Sequence, residues 1–495
     1  MTEKAKGEES KEKQKERKKE EEKEGKNLGI TVKKSEDFSE WYTQVVLRAE
    51  LADYSPVKGC MILRPNGYAL WESIQEYFNH RLKNLKVKNS YFPLFIPESF
   101  FAREAEHAKG FTPEVAWISN REEEKLAVRP TSETIIYDAY SRWIRSHRDL
   151  PLRLNQWCNV VRWETKSVKL FLRTREFLWQ EGHCAYETSE EAEQETILIL
   201  EEYKKLCEEL LAVAVVAGKK TENEKFAGAL YTTAIEAFMP DGKALQMGTS
   251  HNLGQGFGKS FGISFLGRDG NQHIPCQTSW GVSTRLIGGM VMIHSDDKGI
   301  VIPPKVAPVQ VVVVPIIFES SKEAVLGECG KILRMLPEFR VHLDDRDGYT
   351  PGWKFNEWEM KGVPLRIEVG PRDAEKGQAV IVKRDTGEKS IVMLKDLHAK
   401  VKETLEKIQH DLFAKSKKRL DESIISAKRW DDFENSVGIK FIKTHHCGDS
   451  ACETLIKEQT GATARCIPFD QILPKGKCIR CGRDSKYEVY FAKGY

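Results

Sequence analysis

Apolar side chains recur every three to four positions through Tyr68–Leu85 and, over a longer stretch, through Glu187–Val213, the spacing of an amphipathic helix. Ser90–Ile96, Asn155–Trp163, Arg175–Ala185 and Gly281–His294 are instead β-branched and aromatic runs, which predict strands. Long helices between strands that are not sequence neighbours suit a mixed α+β fold, an antiparallel sheet flanked by helices, rather than a βαβ array. No glycine fingerprint of the dinucleotide-binding or P-loop kind follows a strand; Gly254-Gln255-Gly256-Phe257-Gly258 fits neither. The pattern changes past Pro303, Pro304 and Pro308. Val309–Ile317 is almost wholly β-branched, as a buried parallel strand is. Ser321–Met335, Arg340–Leu343, Pro351–Met360, Pro364–Val369 and Gln378–Lys383 then read helix, strand, helix, strand, strand, and an amphipathic helix, Leu394–Leu412, closes this small α/β unit. The expected division is 28–303, 304–412 and 413–495, after a charged segment at 1–27. No internal repeat is evident.

Composition adds little until the ends of the chain. With 40% hydrophobic and 31% charged residues, 495 residues can bury several cores. Lys and Arg number 77 against 74 acidic residues, a net charge of +3 that is too even for a basic nucleic-acid coat, so any such contact must come from local patches. Residues 1–26 hold ten basic and nine acidic side chains and no apolar stripe. They suit either disorder or a solvated helix held by Glu/Lys pairs, serving as a solubilising tail or as a nonspecific RNA or partner contact. No apolar run reaches the ~18–20 residues that cross a bilayer, and the start is charged, so membrane and secreted classes are not expected. Six of the eleven cysteines (Cys60, Cys158, Cys184, Cys207, Cys276, Cys329) are scattered singly, which suits reduced thiols in a cytoplasmic protein.

Three segments carry candidate chemistry. Arg162-Trp163-Glu164, eight variable residues, and Arg173-Thr174-Arg175-Glu176-Phe177-Leu178-Trp179-Gln180-Glu181 form a hairpin that presents cations and an aromatic face to one ligand. Arginine's planar fork suits phosphate oxygens, and Phe177 could stack on a flat base; the alternative is an ordinary charged hairpin. Trp280-Gly281-Val282-Ser283-Thr284-Arg285-Leu286-Ile287-Gly288-Gly289 leads an apolar strand into a helix with one arginine at the join. That arginine needs an anionic or aromatic partner, whether ligand or protein, because a buried unpaired charge costs several kcal/mol. Tyr91-Phe92-Pro93-Leu94-Phe95-Ile96-Pro97 puts proline in a strand pattern, the mark of an edge or an interface. Near the end, Cys447 and Cys452, then Cys478 and Cys481 after 25 intervening residues, supply two close pairs of the kind a tetrahedral Cys₄ zinc site uses; four free thiols are the alternative. Cys466 looks like core packing.

Taken in order, these segments resemble motifs 1, 2 and 3 of class II aminoacyl-tRNA synthetases. Arg129-Pro130-Thr131-Ser132-Glu133-Thr134, Trp179-Gln180-Glu181-Gly182-His183, Lys354-Phe355-Asn356-Glu357-Trp358-Glu359 and Gly370-Pro371-Arg372-Asp373 narrow the likeness over 28–495 to prolyl-tRNA synthetases of the eukaryotic and archaeal type.

The resemblance implies an enzyme that joins L-proline to tRNA(Pro) through a prolyl-adenylate. Arg162 would contact both the α-phosphate and the substrate carboxylate, and Phe177 and Arg285 would sandwich adenine; Arg162 and Arg285 are the residues assigned to catalysis. Glu164, Arg173, Thr174, Gln246, Thr249 and Ser283 would complete the ATP site, with Mg²⁺ neutralising the triphosphate. Thr131 and Glu133 would take the secondary ammonium of proline, and Phe111, Trp179 and His183 would wall its ring, with Glu181 and His251 beside them. Such a box offers a substrate hydroxyl no partner, while alanine remains the expected error because a missing methylene is worth only ~1–3 kcal/mol. The 97 positions from His183 to Trp280 are filled by a long helix and several strands, so no cis editing domain is expected. A zinc bound by His183 and His251 would need a cysteine, and Cys184 lies on the opposite strand face from His183, so the wall reading is preferred. The family match supports a structural Zn²⁺ on the four clustered cysteines. Lys354, Glu368, Arg372 and Arg384 are candidates for reading the guanines of the anticodon. The motif 1 strand implies a homodimer. The rival readings are a non-catalytic relative that binds RNA or regulates another enzyme, and threonyl or glycyl specificity.

Overall fold

The computed structural model describes residues 29–105, 115–118, 124–163, 167–471 and 475–495. Its contacts divide the chain into two units. The larger comprises Ala52–His294, Ile302–Pro308 and Lys402–Tyr495; the smaller takes the described residues up to Leu51, Ser295–Val301 and Val309–Val401.

In the larger unit, α1 (Pro65–Asn84) starts on a proline, whose missing N–H is no loss at a first helical position. The chain then forms β1 (Lys88–Asn89), parallel to β2 (Leu152–Val161). The strand expected over Ser90–Ile96 breaks up. Ser90 N still donates to Asn155 O (2.8 Å), but Pro93 has no N–H to continue the ladder, and pairing resumes only at Phe95–Pro97 in another sheet. α2 (Glu133–Trp143) precedes the β2 hairpin with β3 (Glu176–Tyr186), paired from Val161 and Glu176 to Leu152 and Ala185. α3 (Ser189–Lys205) opens with a reciprocal capping box between Thr188 and Glu191 and covers the far face of β3, where Tyr203 donates to Gln180 Oε1 at 2.7 Å. β4 (Val216–Lys219), β5 (Tyr231–Phe238), β6 (Lys243–Gly254) and β7 (Cys276–Ser283) follow, and the chain turns into α4 (Arg285–His294). The expected strand Gly281–His294 therefore ends at Ser283, and its second part is a buried helix whose apolar residues on all sides hid the change of period.

In the smaller unit, β8 (Val311–Pro315) is buried at every position and lies between parallel neighbours β9 (Val341–Leu343) and β10 (Leu365–Val369), as its β-branched run predicts. β11 (Gln378–Lys383) and β12 (Lys389–Met393) add antiparallel strands. α5 (Lys322–Met335) and α6 (Pro351–Met360) are its helices; Thr350 caps α6 with Pro351 at the first position. The amphipathic helix expected over Leu394–Leu412 runs on as α7 (Leu394–Ser423).

The stretch 413–495, read above as a part of its own, contributes β13 (Ile424–Ala427), β14 (Phe441–His446), α8 (Ser450–Thr460), β15 (Thr463–Pro468) and β16 (Tyr487–Gly494) to the larger unit. β15 pairs with β4 and β16 with β6, giving one eleven-stranded sheet in the order β13-β14-β16-β15-β4-β5-β6-β7-β3-β2-β1. It is mainly antiparallel.

Candidate active site

Strand register assembles the site. His183 on β3 lies opposite Ser279 on β7, Ser279 opposite His251 on β6, and His251 opposite Thr232 on β5. One residue pair further along, Glu181, Gly281 and Thr249 form the next row. Alternation then puts Phe177, Trp179, Glu181 and His183 on one face of β3, while Gln180 and Cys184 face away. Over this face lies a cavity of about 440 Å³.

At one end stand Glu133, Glu181 and His183, each 4% exposed or less and with donor atoms within 4.8 Å of one another. Glu181 accepts from His183 Nε2 (3.0 Å), Gln156 Nε2 (3.0 Å), Ser132 N (3.2 Å) and the Ser132 hydroxyl. Burial pushes its carboxyl up, but these bonds and the imidazolium charge outweigh burial and hold it below the usual range. His183 is the mirror case: burial opposes its charge, yet the Glu181 bond and the charges of Glu133 and Glu181 raise it. Glu133 accepts from the Thr131 hydroxyl, and its pKa is raised, by burial first and by Glu181 as well, against the pull of His183. His251 is lowered to about 3 by burial and then by His183 and Lys220, so it is neutral at pH 7; its Nδ1 lies 2.9 Å from Thr232 Oγ1. The cluster thus gathers two carboxyl groups around one imidazole, donor atoms suited to a small cation such as an ammonium.

At the other end are guanidiniums. Arg162 Nε donates to Pro130 O (3.2 Å), and its guanidinium lies 5.4 Å from the Phe177 ring centroid and 5.7 Å from that of Trp179. Arg129, 1% exposed, fixes this hairpin by donating to Phe92 O and Asn159 O, both at 2.8 Å. Arg285 donates from Nε to Leu172 O (3.2 Å) in the hairpin turn and from Nη1 to Gln246 O (3.5 Å), while its own N–H meets Ser283 Oγ (3.2 Å). Burial, then the repulsion of Arg162, lowers its pKa to about 10, leaving it charged at pH 7. This end can hold polyanionic oxygens and a flat ring.

Of the sequence candidates, Thr131, Glu133, Arg162, Phe177, Trp179, Glu181, His183, Gln246, Thr249, His251, Ser283 and Arg285 all line the one cavity. Arg173 is exposed and Thr174 buried, and neither lines it. Phe111 and Glu164 lie outside the described residues. Sequence reasoning missed Pro130 and the loop residues Glu224, Lys225 and Phe226, which also line the wall; nothing in their local pattern marks them. The cysteine nearest Glu181 is Cys158, not Cys184: its Sγ lies 3.4 Å from Glu181 Oε1 and accepts from Trp179 Nε1 at 3.3 Å. Burial, then the Glu181 charge, pushes this thiol far up, so it is neutral.

Two further clusters lie elsewhere. Cys447, Cys452, Cys478 and Cys481 hold their sulfurs within 4.8 Å of one another, with Cys447 and Cys481 3.7 Å apart. Tetrahedral zinc with Zn–S bonds of ~2.3 Å implies an S···S edge of ~3.8 Å, so the donor set and spacing fit. Gly448 (φ +79°) turns the chain within the first pair, and Gly482 (φ +71°) turns it directly after the second. Arg483 lowers the Cys481 thiol to about 6. In the smaller unit, Arg372 is exposed. Lys354 is 3% exposed and held by Asp344, whose carbonyl accepts at 2.9 Å. Arg384 is 7% exposed and bidentate on Asp296 (2.8 and 2.7 Å), and Glu368 is buried between Arg366 and Lys389. A hollow there is lined by Trp358, Glu359, Arg366, Lys383 and Arg384.

Family models match three segments of the chain. The model of the tRNA synthetase class II core domain (G, H, P, S and T) matches residues 116–294, an anticodon binding domain 310–404, and the prolyl-tRNA synthetase C-terminal domain 430–495. The proline–tRNA ligase of Alkaliphilus oremlandii is 54% identical over 93% of this chain and 96% of its own, and proline–tRNA ligase 2 of Clostridioides difficile is 53% identical over 94% and 97%. The crystal structure of Cryptosporidium parvum prolyl-tRNA synthetase complexed with L-proline and AMP superposes with a TM-score of 0.90 at 45% identity, covering 94% of this chain and 97% of that one. With relatives this similar across nearly its whole length, the chain belongs to the prolyl-tRNA synthetase family of class II aminoacyl-tRNA synthetases.

Proposed function

We propose that the chain activates L-proline with ATP and transfers it to tRNA(Pro). The observation that carries this reading is a single cavity with a buried carboxylate–imidazolium cluster at one end and Arg162, Arg285 and Phe177 at the other. Glu133, assisted by Thr131, takes the secondary ammonium. Trp179, Glu181, His183 and His251 shape the space for the ring, with Phe111 assigned there from the sequence. Adenine stacks between Phe177 and Arg285, and Gln246, Thr249 and Ser283 line the same end; Glu164, Arg173 and Thr174 complete the nucleotide contacts on the sequence match. ATP arrives as its Mg²⁺ complex. The proline carboxylate attacks the α-phosphorus, pyrophosphate leaves, and Arg162 holds the oxygens on both sides of the forming bond. The terminal tRNA hydroxyl then attacks the adenylate carbonyl and AMP leaves. No protein nucleophile is required; orientation and fixed positive charge lower the barrier.

The four cysteines would bind a structural Zn²⁺, which with no open ligand position supplies stability rather than chemistry. Of the anticodon candidates, Arg372 is the one open to solvent; Lys354, Glu368 and Arg384 would shape the surface around it. We further propose a cytoplasmic homodimer through the motif 1 region, and the eukaryotic and archaeal type on the strength of the C-terminal cysteine-bearing segment. Among the described residues no helix is long and apolar enough to cross a membrane. ATP–pyrophosphate exchange against all twenty amino acids tests the central reading. Proline should support rapid exchange. Exchange with threonine or glycine instead, or with no amino acid, would replace it by one of the rival readings.

A further inference from the structure

One wall of the cavity is a strap, residues 220–230, that joins β4 to β5. Its tip reaches the site: Phe226 packs on His251 with ring centroids 4.8 Å apart, and Phe226 N donates to Thr232 Oγ1 (2.9 Å), the same oxygen that meets His251 Nδ1. Its root is held from outside the synthetase core, by the C-terminal segment. Thr221, 2% exposed, donates from its hydroxyl to Glu453 Oε1 at 2.7 Å. Asn223 Nδ2 donates to Ser450 O at 3.2 Å. Lys220, 5% exposed, pairs with Glu236 at 2.7 Å, and the same fully buried carboxylate takes Arg465 of β15 at 3.1 and 2.9 Å. Helix α8 therefore holds Thr221 and Asn223 directly, and strand β15 holds the adjacent Lys220 through the shared carboxylate of Glu236.

We propose that the C-terminal segment sets the geometry of the amino-acid end of the cavity through this strap, with Glu453 and Arg465 as positioning residues. The inference rests on the reading of that end as the proline site. A buried hydrogen bond to a carboxylate fixes Thr221 in one place, and a side chain five residues along the same short strap inherits that placement. Loosening the root lets Phe226 leave His251, which widens the ring pocket while Arg162, Arg285 and Gln246, held by other contacts, keep theirs. The predicted signature is selective for one substrate. A part that only stabilised the fold would not discriminate between the two ends of one cavity.

The test is pyrophosphate exchange with the full-length chain. Glu453→Ala should raise KM for proline about tenfold, the size expected for one lost buried charge-assisted hydrogen bond, with KM for ATP and kcat within about twofold. Glu453→Gln, which keeps an acceptor oxygen, should restore KM for proline to near the parent value. Hydrogen–deuterium exchange should speed up over residues 221–226 in the alanine variant alone. An unchanged KM for proline in folded Glu453→Ala, or a parallel rise in both KM values, overturns the proposal. If that variant does not fold, Thr221→Val removes the donor from the other side, and the same split is expected; its absence there is equally fatal. Failure of the functional reading looks different, since the unmodified chain would then show no proline-dependent exchange.

Discussion

Glu133 and Glu181 have the same chemistry, neighbouring positions and the same upward push from burial, yet their carboxyls end up shifted in opposite directions. Glu181 accepts from His183, Gln156 and Ser132, so its ionised form is favoured. Glu133 has fewer such donors and sits beside a second carboxylate, so its carboxyl is raised. It follows that Glu133 gains a proton first on acidification. As pH falls through that raised value the negative charge facing the ammonium disappears, and KM for proline climbs while KM for ATP stays level. Exchange kinetics measured over a window falling from neutral pH read this directly. Glu133→Gln should have a high KM that no longer depends on pH in that window, and a persisting acid limb in that variant would assign the effect to another group. At the other end, in the proposed mechanism, Arg162 acts on the bond itself. Arg162→Ala should lower kcat/KM for adenylate formation by roughly 10²–10³, as loss of one oxyanion-stabilising group does, with the thermal midpoint little changed. Normal exchange in that variant would remove Arg162 from the mechanism.

At the scale of elements, alternation along β3 is what turns a string of residues into a wall. Its far face is equally constrained. Gly182 lies opposite Trp280, and a Cβ there would sit 2.2 Å from ring carbons of that indole. Gly182→Ala should therefore destabilise by about 1–3 kcal/mol as an overpacked core site does, seen as a lower midpoint in thermal denaturation; an unchanged midpoint would mean the strands shift freely. The cysteine pairs make a second prediction: a chelator that strips one zinc per chain should lower the midpoint too, with metal content followed in parallel. How much of this was legible depended on whether the signal was local. The β2–β3 hairpin, the buried β8 and the cysteine pairs declare themselves within a few residues. Ser90–Ile96 misled because its aromatic run outweighed Pro93, and Gly281–His294 because an all-apolar helix has no period to read. Lys354 and Arg384 have the right residue types for an RNA surface, but only the fold reveals that Asp344 and Asp296 occupy them. The pairing of β15 with β4 links residues about 250 positions apart, and no local pattern encodes it.

For the molecule as a whole, the decisive stretch is the one between His183 and Trp280. Every element in it, from α3 through β4, β5 and β6 to the start of β7, either forms the central sheet or packs beside it, and the strap between β4 and β5 serves the cavity wall. None of it is left over to fold into a separate hydrolytic domain. In the proposed reading, discrimination between proline and alanine then falls on one pocket, where the absent methylenes of alanine change the buried apolar contact but leave the ammonium to Glu133 as before. A pocket of this kind rejects the smaller substrate by only ~1–3 kcal/mol per methylene. Alanine should accordingly support slow but measurable pyrophosphate exchange, and alanyl-tRNA(Pro) added to the purified chain should decay no faster than in buffer. Enzyme-dependent deacylation that survives Arg162→Ala would point to a hydrolytic centre outside the cavity, and the account of how this chain handles error would have to be rebuilt around it.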